Sequence, residues 1–130
     1  MAKASGKTYK FASESEIDST ILETIDYKGG DQLIEYRTKE FSAVCPFSGL
    51  PDMAAVIVRY IPKTKLVELK SLKYYYISYR NVGIYQEKVT DRIFNDLKKT
   101  LVPKYLYVET VYNTRGGIDA RCIMETKKGK

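Results

Sequence analysis

Ala54-Ala-Val-Ile-Val-Arg-Tyr-Ile61 is the stretch on which the fold turns. It is rich in β-branched residues, too short for a convincing helix, and ended by Pro62, so it reads as a well-buried strand. Upstream, Gln32–Phe41 mixes Leu33 and Ile34 with Tyr36 and charged residues after the Gly29-Gly30 break, which suits a partly exposed strand. Downstream, Leu66-Val-Glu-Leu69 follows the turn-like Pro62-Lys-Thr-Lys65, and a hairpin with the buried strand is the economical expectation. The period then changes. Val89, Ile93, Leu97 and Leu101 recur every four residues with Phe94 beside them, which predicts an amphipathic helix stopped by Pro103. A shorter helix is expected over Leu72–Tyr79. Tyr105–Tyr112 alternates and can pair with Ile118–Glu125 across the Arg115-Gly-Gly117 turn. The order is two strands, two helices, two strands: an α+β domain with a four-stranded antiparallel sheet and both helices on one face. Such a sheet leaves edges that are commonly closed by self-association, so a symmetric homo-oligomer is expected.

The chain has 130 residues, room for one core. Residues 1–15 read as a flexible lead-in, 16–126 as the single folded domain and 127–130 as a basic tail. No apolar run is long enough to span a bilayer, and no apolar stretch follows the basic N-terminus, so a cytoplasmic location is expected. The net charge of +6 suits a polyanion, a phosphate-bearing cofactor or a tRNA alike. Histidine is absent, which removes Ser-His-Asp and Cys-His catalysis and the histidine zinc sites. Cys45 and Cys122 have no metal-ligand spacing, and no metal site is expected.

Four stretches can carry chemistry. In Cys45-Pro-Phe-Ser-Gly-Leu-Pro-Asp52 a thiol and a carboxyl flank a turn-prone loop, a pairing suited to a nucleophile and its acid; the bland alternative is a buried cysteine and a strand-start aspartate. In Glu68-Leu-Lys-Ser-Leu-Lys-Tyr-Tyr75, Lys70 and Lys73 stand a helical turn apart and can clamp phosphate, or simply form a solvated face. Glu87, beside Gln86 at the start of the long helix, either favours the helix dipole or accepts paired hydrogen bonds from a guanine-like ring. Arg115, in a glycine turn, suits a phosphate contact or a bare hairpin tip.

Together and in this order, these stretches resemble the short, single-domain 7-cyano-7-deazaguanine reductases of the queuosine pathway, over roughly residues 31 to 125. The signature Glu-x-Lys-[Ser/Ala]-x-Lys-[Leu/Tyr]-aromatic is met by Glu68, Lys70, Ser71, Lys73, Tyr74 and Tyr75, and the Cys-Pro-x-[Ser/Thr]-Gly-x-Pro-Asp loop is met in full. The resemblance implies a T-fold whose units assemble into a barrel, commonly as two stacked pentamers. It implies Cys45 as nucleophile and Asp52 as proton donor. Val67, Glu68, Leu69, Gln86 and Glu87 would bind the deazaguanine, and Lys70, Lys73 and Arg115 would face NADPH. Many members place histidine where this chain has Gln86. There is no Gly-x-Gly-x-x-Gly fingerprint, so any dinucleotide would bind outside a Rossmann frame.

Three other readings compete. An archaeal relative of the same fold adds ammonia to a nitrile carried in tRNA, but consumes no NADPH and has no need of the lysine signature. A zinc-dependent pterin-type T-fold enzyme lacks its histidines here. A non-catalytic RNA-binding domain would display its tyrosines and lysines on the surface. The leading reading involves neither membrane nor direct nucleic-acid contact.

Overall fold

A computed structural model describes residues 3–127. Two short 3₁₀ turns, Glu14–Glu16 and Ser19–Ile21, lead into β1 (Thr24–Asp26), β2 (Ile34–Val44), β3 (Pro51–Ile61) and β4 (Lys65–Val67). Then come α1 (Leu69–Ile77), α2 (Gln86–Leu101), β5 (Tyr105–Arg115) and β6 (Ile118–Glu125). The main sheet has the order β2-β3-β5-β6, every pair antiparallel.

β3 alternates as its sequence requires. Asp52, Ala54, Val56, Val58 and Tyr60 point inward and are buried, joined from β5 by Leu106, Val108, Thr110 and Tyr112. Onto this face α2 lays Val89, Ile93, Leu97 and Leu101, all 0% exposed, at the predicted four-residue spacing. α2 ends at Val102, which takes the left-handed conformation (φ 45°) just before Pro103. The two helices are tied by a polar relay: the Tyr75 hydroxyl donates to Asp96 (2.6 Å) and lies 2.7 Å from the Tyr79 hydroxyl, while Arg92 donates to the same Asp96 carboxylate (2.8 Å). Tyr60, Tyr75, Tyr79, Tyr107 and Tyr112 are all buried, so these aromatics serve packing rather than a surface for stacking bases. The opposite face of the sheet is charged: Glu35 accepts from Arg37 and Arg59, Arg59 sits over the Tyr107 ring, and Glu109 accepts from Tyr107 and Arg121.

Several expectations need correction. The segment Leu66–Leu69 forms no hairpin with β3, because both edges of β3 are already taken by β2 and β5. Instead β4 pairs with β1 in a separate two-stranded sheet, and Leu69 opens α1. That helix begins three residues before the expected Leu72, because the Glu68 carboxylate caps it, accepting from Lys70 N (3.0 Å) and Ser71 N (2.7 Å). The lead-in is not free either. Tyr9 N donates to Ser48 O (2.9 Å) and Ala12 N to Asn81 O (2.6 Å), so its second half is laced to two loops. Of the basic tail, Lys128–Lys130 lies outside the described residues, as do Met1 and Ala2 of the lead-in. Among the described residues, no helix is long and apolar enough to cross a membrane.

Candidate active site

β2 and β3 run directly into the loop that joins them, and this places the first pair of functional side chains. Cys45 follows the last residue of β2, and Asp52 is the second residue of β3. The loop closes on itself through Cys45 N to Leu50 O (2.9 Å) and Gly49 N to Cys45 O (2.9 Å). Gly49 adopts φ +72°, which a side chain would strain. The closed loop, the start of α2 and the β5–β6 turn enclose a cavity of about 550 Å³. Its walls carry Cys45, Asp52, Gln86, Glu87 and Arg115.

The electrostatics of these groups differ in sign. Cys45 is half-buried, and the backbone amides of Ser48 and then Phe47 draw its thiol below the ordinary cysteine range, against the opposing effect of burial. The Ser48 hydroxyl and the Arg115 guanidinium add smaller contributions in the same direction. Asp52 is 4% exposed, and burial pushes its carboxyl above the usual range although Arg115 pairs with it and pulls the other way. One cavity therefore holds a thiol biased toward thiolate and a carboxyl biased toward its protonated form. Glu87 sits in the first turn of α2, whose N-terminus has no side-chain cap, so the carboxylate faces the positive end of the helix. Cys122 lies on β6 opposite Thr110 and does not line the cavity.

The remaining expected site residues lie elsewhere. Val67 is buried at the end of β4, its N–H donating to the Tyr60 hydroxyl (3.2 Å), and Glu68 spends both carboxylate oxygens on the α1 cap. Leu69 and Lys73 border a second hollow of about 400 Å³ between α1 and β2, with Arg37 and Arg80. Lys70 is exposed, its ammonium 6.0 Å from the Tyr74 ring. Arg115, expected to face a cofactor, is held by Asp52. Among the described residues no cluster of ligands suits a metal ion.

Sequence reasoning missed two aromatics in the main cavity. Phe47 is 76% exposed and Tyr85 49% exposed, with their rings 5.9 Å apart edge to face. Each adjoins a residue already singled out, since Phe47 lies in the cysteine loop and Tyr85 precedes Gln86. That adjacency was the available signal. Tyr112 adds a buried hydroxyl without a partner among the described residues, near Asp52, Cys122 and Glu87.

The family model described as QueF-like protein matches residues 51–130. The "NADPH-dependent 7-cyano-7-deazaguanine reductase" of Thermotoga maritima is 51% identical over 100% of this chain and 96% of its own length. Those of Thermoanaerobacter pseudethanolicus and Chlorobaculum tepidum are 50% and 40% identical, each over 88% of this chain, with 88% and 99% of their own lengths covered. The solved apo structure of the archaeosine synthase QueF-Like superposes with a TM-score of 0.66 at 23% identity, covering 77% of this chain and 96% of that one, which speaks for the fold. On the match over residues 51–130 and on relatives that span the cysteine loop as well, this chain belongs to the QueF-like protein family.

Proposed function

We propose that this chain reduces the nitrile of 7-cyano-7-deazaguanine to the aminomethyl group with NADPH, through a thioimide on Cys45. The observation that carries the reading is that Cys45 and Asp52 line one cavity together with Arg115, which pairs with Asp52, the thiol shifted down and the carboxyl shifted up, as suits a nucleophile and its acid. The names of the relatives supply the substrate and cofactor.

In this mechanism the Cys45 thiolate adds to the nitrile carbon, and the carbon–nitrogen triple bond becomes a double bond as Asp52 gives its proton to nitrogen. When bound, NADPH would supply the two hydrides, in succession, that the four-electron reduction needs, and the nitrogen takes two protons in all, the first from Asp52 and the second from Asp52 after solvent has reprotonated it. After the first, the carbon–sulfur bond breaks and Cys45 leaves as thiolate, freeing an imine that the cavity walls must shield from water until the second. Arg115, paired with Asp52, holds that carboxyl in place and sees its charge change during the proton transfer. Glu87 and Gln86, on the same cavity wall, present acceptors and donors to the edge of the deazaguanine.

The donor set at the β4–α1 junction fits a phosphate-bearing cofactor, because Lys70 and Lys73 make no ion pair with a carboxylate among the described residues. That junction does not line the Cys45 cavity of its own chain. A neighbouring copy would bring its Val67, Glu68, Leu69, Lys70 and Lys73 to this cavity, in a homo-oligomer of two stacked pentamers that closes the exposed sheet edges β2 and β6. The test is direct. Protein given the nitrile should consume reduced-nicotinamide absorbance with two NADPH per nitrile. No consumption, with an amidine formed on nitrile-bearing tRNA and ammonia, would overturn the reading in favour of the archaeal type of reaction.

A further inference from the structure

The N-terminal segment Tyr9–Ala12 lies against both loops that frame the cavity. At one end Tyr9 N donates to the carbonyl of Ser48 (2.9 Å), the residue whose amide and hydroxyl face the Cys45 sulfur. Next to it, the Tyr9 carbonyl sits so close to Gly49 that a Cβ there would collide with the carbonyl oxygen. At the other end Ala12 pairs with the Asn81–Gly83 turn: Ala12 N donates to Asn81 O (2.6 Å) and Gly83 N to Ala12 O (2.9 Å). The Phe11 ring lies on Gly83, in the space a methyl group would fill. This turn is bonded in its turn to the end of β2, through Val44 N to Val82 O (3.0 Å) and Ile84 N to Val44 O (3.2 Å). The hydrogen bonds form a closed circuit. It runs from the Ser48 carbonyl through the strap to Gly83, across to Val44, and back through Cys45 to Ser48.

We propose that Tyr9 and Ala12 are positioning residues for the reaction, acting through their backbone hydrogen bonds: the strap they anchor clamps the Cys45–Gly49 loop and the Gly83 turn together so that Ser48 stays aimed at the sulfur. The inference rests on Cys45 being the nucleophile. The strap touches no reacting atom; it acts through Ser48. Two bare glycines at the contact points, one at each loop, are what such close seating requires. The other charged or titratable groups facing Cys45 are Asp52 from β3, Tyr85 and Glu87 at the start of α2, and Arg115 from β5, and none of them belongs to the strap.

Gly83→Ala is the sharpest perturbation. Gly83 lies outside the left-handed region, so alanine fits its backbone, yet the new methyl must evict the Phe11 ring. In a Cys122→Ala background, the rate of alkylation of Cys45 by iodoacetamide is followed against pH, and in parallel the rate of covalent capture of the nitrile. Gly83→Ala should move the alkylation profile to higher pH and slow capture by roughly tenfold, the scale of one hydrogen bond to a charged group. Adding Phe11→Ala to Gly83→Ala should restore both, because the methyl group then has room and the backbone bonds of Tyr9 and Ala12 can re-form. Removal of residues 1–12 should reproduce the Gly83→Ala phenotype and decides the matter if Gly83→Ala fails to fold. Profiles unchanged by the removal, or no recovery in the double variant, would overturn the proposal. A parent protein that alkylates at Cys45 but captures no nitrile would refute the nucleophile assignment instead, leaving the alkylation profiles to judge the strap.

Discussion

Thr90 on α2 and Thr110 on β5 meet in the core with their hydroxyls 2.6 Å apart, at 1% and 0% exposure. This pair sets the height of α2 on the sheet one turn after Gln86 and Glu87. Removing the Thr110 hydroxyl leaves that of Thr90 only the Gln86 carbonyl, at 3.4 Å, so Thr110→Val should cost about 1 kcal/mol. Removing the Thr90 hydroxyl strands that of Thr110 without another partner among the described residues, and Thr90→Val should cost about 2 kcal/mol. The double variant replaces both by methyl groups of similar shape and strands nothing, so it should lie within about 1 kcal/mol of the parent, a coupling of about 2 kcal/mol. In melting temperature, at about 4 °C per kcal/mol for a chain of this size, the single variants should fall by roughly 4 and 8 °C and the double variant by less than the larger of these. Urea unfolding at one fixed protein concentration, which holds any contribution from assembly constant, measures the cycle. A double variant that loses about 3 kcal/mol, the sum of the singles, would refute the argument.

Arg115 lowers the Asp52 carboxyl and, more weakly, the Cys45 thiol, so Arg115→Met should move both limbs of the pH profile for nitrile capture upward; an alkaline limb that moves down would contradict this. The Tyr112 hydroxyl, without a partner among the described residues, implies that Tyr112→Phe is neutral or stabilising by about 1 kcal/mol, and a melting temperature several degrees lower would show that the hydroxyl has a partner in solution. Glu35 is held at about 2, first by its hydrogen bond with Arg37 and then by that with Arg59, below its ordinary value of 4.5. A carboxylate lowered by folding contributes stability that is present above its ordinary range and lost as pH falls toward 2. Acid titration of unfolding should therefore be shallower in Glu35→Gln over that window, and identical slopes would remove the ion pairs from the account.

How much could be read from the residues depended on whether a segment's partner is the core. β3, α2 and the β5–β6 hairpin carry their burial in their own spacing, and the expectations for them hold. β1 pairs through three exposed residues, Thr24-Ile-Asp26, whose composition betrays nothing, and without β1 the placement of β4 could not be seen. The start of α1 depends on Glu68 folding back as a cap, a task more typical of Ser, Thr, Asp or Asn. In the site, Cys45 and Asp52 were legible because a short stiff loop joins them. The separation of Glu68, Lys70 and Lys73 from that cavity was not, because nearness in a motif is not nearness in space. The strap left no trace beyond two glycines, each of which also suits an ordinary turn.

The central claim is that Cys45 is the covalent nucleophile, and its most direct test is intact-protein and peptide mass spectrometry after incubation with 7-cyano-7-deazaguanine in the absence of NADPH. One substrate mass should appear on the peptide containing Cys45, persist in Cys122→Ala and vanish in Cys45→Ala together with turnover. An adduct mapped to Cys122, or turnover surviving in Cys45→Ala, would contradict it.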